Sequence, residues 1–134
     1  MLVHDRAVRF EEVDAAGIVF FPRFLNYCHD AMAELFAPLE GGYVQLVNGR
    51  RIGLPAVHVE ADYRSPLRFG DTARLEVTIP HVGSSSFTLH YRITLAPSGL
   101  PVAEIKHIVV TTDLVAMRAV PIPADMRALL EQHR

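Results

Sequence analysis

The stretch Phe10-Glu11-Glu12-Val13-Asp14-Ala15-Ala16-Gly17-Ile18-Val19-Phe20-Phe21-Pro22 decides how this chain folds. It reads as the end of a strand, a tight apolar loop, and the opening of a helix over residues 22–36. Proline suits a first helical position, where its missing N–H has no partner to lose. Phe21, Phe24, Leu25, Cys28, Met32, Leu35 and Phe36 then recur at helical spacing and form one apolar stripe. A stripe this continuous has to be covered, and the segments that follow supply strands to cover it.

The loop places one carboxylate, Asp14, among Val13, Ala15, Ala16, Gly17, Ile18, Val19, Phe20 and Phe21. Packed that way, the carboxylate sits against apolar walls near a helix N-terminus, whose unpaired N–H groups and positive dipole end favour negative charge. Fixed donors of that kind can hold an oxyanion during acyl transfer. Gly17 permits a sharp turn or a close approach of the backbone to a ligand. The plainer alternative is that Asp14 caps a turn and Gly17 shapes it.

Outward from the loop, Val8 and Phe10 alternate with Ala7, Arg9 and Glu11, which reads as a half-buried strand over residues 6–11. After the helix, Pro38 and Gly41-Gly42 break the chain, and residues 43–47 read as a short helix. Alternation returns in three strands. Val57, Val59, Ala61 and Tyr63 lie opposite His58, Glu60, Asp62 and Arg64. Ala73, Leu75, Val77 and Ile79 make a second apolar face, and Phe87, Leu89, Tyr91, Ile93 and Leu95 a third. Residues 101–112 become apolar in both phases near Ile108-Val109-Val110, as in a strand buried on both sides. A short C-terminal helix carries Met126, Leu129 and Leu130. One long helix with consecutive antiparallel strands, and no repeat or linker, predicts a single α+β domain over residues 1–134.

Composition narrows the function classes. Half of the 134 residues are hydrophobic, enough for a core, and no apolar run is long enough to span a bilayer. Thirteen basic against fifteen acidic residues give a net charge of −2, which does not suit a nucleic-acid binder. The single cysteine, Cys28, has no partner in its own chain, and no secretory leader is visible, so the expected setting is the cytoplasm. The seven histidines show no zinc-ligand spacing, there is no nucleophile elbow and no phosphate loop, and we expect neither metal nor cofactor.

The run from Asp14 through Pro22-Arg23-Phe24-Leu25-Asn26-Tyr27 resembles the signature of the 4-hydroxybenzoyl-CoA thioesterase family, hotdog-fold enzymes that include a Tol-Pal-associated branch. Asp62-Tyr63-Arg64-Ser65-Pro66-Leu67-Arg68-Phe69-Gly70-Asp71 is similar to the family's second block. Ser84-Ser85-Ser86-Phe87 and Arg118-Ala119-Val120-Pro121-Ile122-Pro123 are similar to later ones, in the same order. The resemblance spans nearly the whole chain. It implies a hotdog fold, a long central helix wrapped by a curled antiparallel sheet of five to six strands. It also implies acyl-CoA hydrolysis, with coenzyme A as part of the substrate.

The resemblance further implies roles for residues. Asp14 would be nucleophile or general base, with Gly17 in the catalytic loop and the Phe21 N–H at the oxyanion. Ile18, Val19, Phe20 and Phe24 would meet the acyl group; His29, at the border of the helical stripe, could face it as well or be a satisfied histidine at the core edge. Arg64, Arg68, Ser85 and Arg118 would meet the nucleotide, with Arg118 the first candidate. Phe20, Phe21, Phe24 and Tyr27 could line a pocket for an aromatic acyl group such as 4-hydroxybenzoyl, or pack in the core around a short- to medium-chain substrate. The turn before Phe87 carries serines where several relatives carry basic residues. The implied assembly is a homo-oligomer, a dimer or a dimer of dimers, with sites at the interface, and a homotetramer is the expected form. Two alternatives belong to other classes. One is a non-catalytic acyl-thioester-binding or scaffold protein, which would not need Asp14. The other is a dehydratase, which would call for a histidine between Asp5 and Tyr27, where none occurs.

Overall fold

The structure, a computed structural model, describes residues 1–134. Its helix α1 (Arg23–Leu35) begins directly after Pro22, which takes helical angles of φ −64° and ψ −21°. Strands β1 (Leu2–Ala7), β3 (Ala56–Tyr63), β4 (Thr72–Val82), β5 (Ser86–Ala96) and β6 (Leu100–Val110) form one sheet in the order β1-β4-β5-β6-β3, every neighbour antiparallel. Smaller elements complete the chain between and beyond them. α2 (Gly42–Val44) runs into a wide helical turn at Gln45–Gly49, β2 (Ile52–Gly53) pairs with β7 (Thr112–Asp113) and β7 with β8 (Arg118–Ala119), and α3 (Ala124–Glu131) closes the C-terminus.

The sheet curls round α1 because its alternation supplies one apolar face and its pairing is interrupted. Ala73, Leu75, Val77 and Ile79 of β4 and Phe87, Leu89, Tyr91 and Ile93 of β5 are fully buried, as their spacing predicts. The register slips between Thr78 and His81, between Ile93 and Thr94, and between Ala56 and His58. Irregularities of this kind bend a strand and increase its twist. One continuous core joins these strands to α1 and α3.

Three expectations are corrected. The strand read over residues 6–11 ends at Ala7, and Phe10–Glu12 is a 3-10 turn that leaves Phe10 exposed. The chain leaves the sheet because the Glu12 side chain turns back and accepts a hydrogen bond from the Arg9 N–H at 2.8 Å. The buried face of α1 is also rotated from the stripe: Phe24, Tyr27, Cys28, Ala31, Met32 and Leu35 are buried, whereas Phe21 and Leu25 are exposed. Those two face the seam between α1 and β3, which nothing fills in a single chain. On β6 the consecutive buried residues are Val102 and Ala103, whereas at residues 108–110 only Val109 is buried between half-buried neighbours, and Lys106 is exposed.

β3 sets the shape of the site. It is an edge strand, bonded on one side only, and all eight of its residues are exposed, Val57, Val59 and Tyr63 among them.

Candidate active site

The loop between the 3-10 turn and α1 is closed by its own backbone. Val13 and Val19 form a bridge, the Asp14 N–H donates to the Ile18 carbonyl at 2.9 Å, and the Gly17 N–H donates to the Asp14 carbonyl at 2.9 Å. Gly17 has φ 80°, a left-handed value that a side chain would strain. The base of the loop is anchored, with Val19 buried and its N–H on the Leu67 carbonyl at 2.8 Å. Its tip is not: residues 14–17 are exposed, so the Asp14 carboxylate is not walled in by the loop's own apolar residues as packing of the loop would require. Those side chains turn inward at 18 and 19 and leave the turn outside. One Asp14 oxygen accepts the Ala16 N–H at 2.8 Å, the turn-capping contact, and the other accepts nothing within the chain.

At the helix start nearly every amide is satisfied. The Phe20 N–H donates to the Glu12 carbonyl at 2.9 Å, Arg23 to Phe20 at 2.8 Å, Phe24 to Phe21 at 3.2 Å and Leu25 to Pro22 at 3.1 Å. Pro22 has no N–H, and the Phe21 N–H has no acceptor in the chain. A lone donor at a helix N-terminus is suited to an incoming oxyanion.

Next to this donor lies a cleft of about 350 Å³ lined by Ile18, Val19, Phe21, Phe24, Tyr63, Arg64, Ser65 and Pro66. Its walls are mainly apolar, and the Phe24 and Tyr63 rings lie 5.3 Å apart. Farther along the same α1–β3 seam a second hollow of about 200 Å³ is lined by Leu25, Cys28, His29, Ala56, Val59, Ile105 and His107. His29 packs edge-on against Tyr43, and the Tyr91 hydroxyl lies 3.4 Å from His107 Nδ1. Burial first, and His29 second, lower the His107 pKa from the ordinary histidine value. A larger hollow of about 500 Å³ beside Glu40, Gln45 and the Arg50–Asp125 ion pair is lined by no hydrophobic residue, and none of the loop residues reaches it.

Of the residues singled out in the sequence, Ile18, Val19, Phe21, Phe24 and Arg64 meet at the first cleft, and His29 meets the second. Asp14 and Gly17 occupy the exposed turn next to Ile18, and Phe20 packs edge-on against Phe21 outside the cleft. Arg68 sits in the turn before β4, where its N–H donates to Asp71 at 2.8 Å. Ser85 and Arg118 lie elsewhere. The Ser85 carbonyl accepts both the N–H and the hydroxyl of Thr111, and Thr111 in turn accepts the Val120 N–H. Along β6 that patch pairs near Val110, whereas the cleft pairs near Ala103, a separation of about 23 Å at the rise of a strand. Tyr27 does not line a pocket: it is fully buried and its hydroxyl donates to Glu12 at 2.9 Å. Tyr63, Ser65, Pro66 and His107 were not anticipated at a site. Tyr63 and His107 carried only the signal of strand residues, and their approach to α1 depends on the curl of the sheet. No group of three or more His, Cys, Asp or Glu side chains is placed to hold a metal ion.

Comparison with known proteins fits this arrangement. Residues 8–130 match the model of the thioesterase-like superfamily. The chain belongs to that superfamily. A 1,4-dihydroxy-2-naphthoyl-CoA hydrolase of Synechococcus sp. strain CC9311 is 30% identical over 129 residues, covering 91% of this chain and 85% of the relative. Among solved structures, a 1,4-dihydroxy-2-naphthoyl-CoA thioesterase from Synechocystis superposes with a TM-score of 0.86 at 26% identity, over 96% of this chain and 93% of that one. The 4-hydroxybenzoyl-CoA thioesterase of Pseudomonas sp. strain CBS-3 superposes with a TM-score of 0.84 at 26% identity, over 96% and 97%. The protein is a thioester hydrolase with an α+β hotdog fold. None of this thioesterase's helices is long and apolar enough to cross a membrane.

Proposed function

We propose that this thioesterase hydrolyses an acyl-CoA whose acyl group is aromatic and hydroxylated, releasing the free acid and coenzyme A. One observation carries the reading. Phe21, whose N–H is unpaired, lines an apolar cleft together with the rings of Phe24 and Tyr63, and Asp14 lies on the exposed turn that leads into Ile18 and Val19 of the same lining. A volume of about 350 Å³ is at the lower end of the range for small-ligand clefts, about 300–1,000 Å³. In this reading the thioester carbonyl oxygen takes the Phe21 N–H. Asp14, with one carboxylate oxygen free, attacks the carbonyl carbon or takes a proton from an attacking water. The coenzyme A thiolate departs without a strong acid; after direct attack, water then hydrolyses the Asp14 mixed anhydride, releasing the free acid and regenerating the carboxylate, and no cofactor is needed. The ring of the acyl group lies against the Phe24–Tyr63 pair, and its hydroxyl reaches toward His29 and His107. The named activities of relatives at 26–30% identity support an aromatic acyl group, including 4-hydroxybenzoyl.

The site also calls for a second copy of the chain. β3 exposes apolar side chains and a free edge, an arrangement prone to pairing. Antiparallel pairing of β3 with its copy would bring the start of one strand opposite the end of the other. That would carry the partner's Ser85 and Arg118 patch toward the cleft, next to Arg64, where the coenzyme A phosphates need cationic partners. A dimer is the unit this argument supports, and a dimer of dimers is compatible with it. A cytoplasmic setting suits the buried, unpaired thiol of Cys28.

A free-thiol release assay tests the reading with acetyl-, butyryl-, hexanoyl-, palmitoyl-, benzoyl-, 4-hydroxybenzoyl- and 1,4-dihydroxy-2-naphthoyl-CoA. The expected result is the highest kcat/KM on the hydroxylated aromatic esters. Preference for palmitoyl- or acetyl-CoA would overturn the substrate class.

A further inference from the structure

Glu12 is the one buried carboxylate in the molecule, 2% exposed, and no step of the proposed hydrolysis uses it. One of its oxygens accepts from the Arg9 N–H at 2.8 Å, the Tyr27 hydroxyl at 2.9 Å and the Arg6 guanidinium at 2.9 Å. The other lies 2.7 Å from a second Arg6 nitrogen. Arg6 stacks its guanidinium carbon 4.2 Å from the centre of the Tyr27 ring and donates onward to Asp30 at 2.7 Å. The cluster therefore ties three elements together: Arg6 on β1, Glu12 on the 3-10 turn, and Tyr27 and Asp30 on α1.

The backbone of the same residue grips the loop. The Glu12 carbonyl accepts the Phe20 N–H, one residue before the free amide of Phe21, and Asp14 follows Glu12 by two residues. The turn at residues 14–17 is exposed and held only by its own short hydrogen bonds, so its place relative to α1 is set at its base. A buried ion pair is weak evidence for stability, since well-packed apolar residues often replace one without loss. Catalytic geometry is less forgiving: a displacement of about 1 Å can cost about 100-fold in rate. We propose that Glu12, fixed by Arg6 and Tyr27, is a positioning residue that holds the Asp14 turn in register with the Phe21 N–H. This rests on the roles proposed above for Asp14 and Phe21.

The test uses full-length protein and the best substrate from the ester panel. In the double variant Arg6→Met/Glu12→Leu, which exchanges the ion pair for apolar volume, kcat should fall at least about 10-fold with KM within about 3-fold. Because Tyr27 is fully buried and its hydroxyl has no other acceptor, Tyr27→Phe accompanies the exchange, and thermal unfolding of that variant should stay close to the parent. Glu12→Gln provides the same reading with a smaller change if the double variant does not fold, and amide exchange at Phe20 should speed up in either. In an Asp14→Asn background, Glu12→Gln should add little further loss, because both act on one geometry. Folded variants with the parent's kcat would overturn the positioning role, as would equal, independent losses in the two backgrounds. An Asp14→Asn protein as active as the parent would instead overturn the catalytic reading, and the Phe20 exchange rate would still report whether Glu12 holds the loop.

Discussion

Replacing Tyr63 with leucine tests the aromatic wall of the cleft. Tyr63 ends β3, is 47% exposed, and its ring is tilted 60° to that of Phe24 at a centroid distance of 5.3 Å. Leucine keeps much of the apolar surface and the strand position, so the change removes mainly the aromatic interaction. Ring pairs contribute about 0.5–1.5 kcal/mol beyond the area they cover. At about 1.4 kcal/mol per factor of ten, kcat/KM for an aromatic acyl-CoA should fall roughly 2- to 10-fold. Acetyl-CoA has no ring to place against the wall, and its kcat/KM should stay nearly constant. The fold should lose no more than about 1 kcal/mol, because a half-exposed surface residue leaves no closed cavity. Steady-state thiol release on both esters and a urea melt measure all three quantities. An equal loss on aromatic and acetyl esters would refute the placement of the acyl ring against the Phe24–Tyr63 pair.

Two further predictions concern titrating groups. Burial, at 3% residual exposure, pushes the Cys28 thiol well above the usual cysteine range, so it should resist an aromatic disulfide reagent at pH 8 in the native protein and react fully once urea unfolds the chain. Rapid labelling of the native protein would show that the helix face is open there. For Glu12, burial works to raise the carboxyl pKa, but hydrogen bonds from Arg6, the Arg9 N–H and Tyr27 outweigh it and hold the group below the usual glutamate value. A folded pKa below the unfolded one stabilises the fold above the ordinary carboxylate range, and that stabilisation disappears as pH falls through the folded value. Urea melts from pH 6 down to pH 2 should therefore show a steeper acid loss in the parent than in Glu12→Gln, and parallel curves would contradict the charged network.

The legible parts of the fold were those whose pattern is local. The alternation at residues 73–79 and 87–93 reported burial correctly because both strands lie inside the sheet with one face on the core. Residues 6–11 misled because Val8 and Phe10 alternate like a strand, whereas the chain turns on a contact from Glu12 back to Arg9 that no periodicity encodes. The helical stripe named the right helix and tilted its face. Phe21 and Leu25 are apolar because they border clefts, and the polar-looking Tyr27 is buried because Glu12 accepts its hydroxyl. The same limit holds at the site. The loop, its glycine and the helix start were visible in residues 14–22, but the approach of Tyr63 and His107 depends on how the sheet curls. The roughly 23 Å between the cleft and the Ser85 patch is a property of topology and could not be read along the chain.

The most direct measurement is the turnover of Asp14→Asn beside the parent on the best aromatic acyl-CoA. The Asp14 side chain is exposed and makes one hydrogen bond, to the Ala16 N–H, which the asparagine oxygen can also accept. Folding should therefore be unchanged, while loss of a base or nucleophile should lower kcat by about 100- to 10,000-fold. A folded Asp14→Asn protein that releases thiol as fast as the parent would contradict the account.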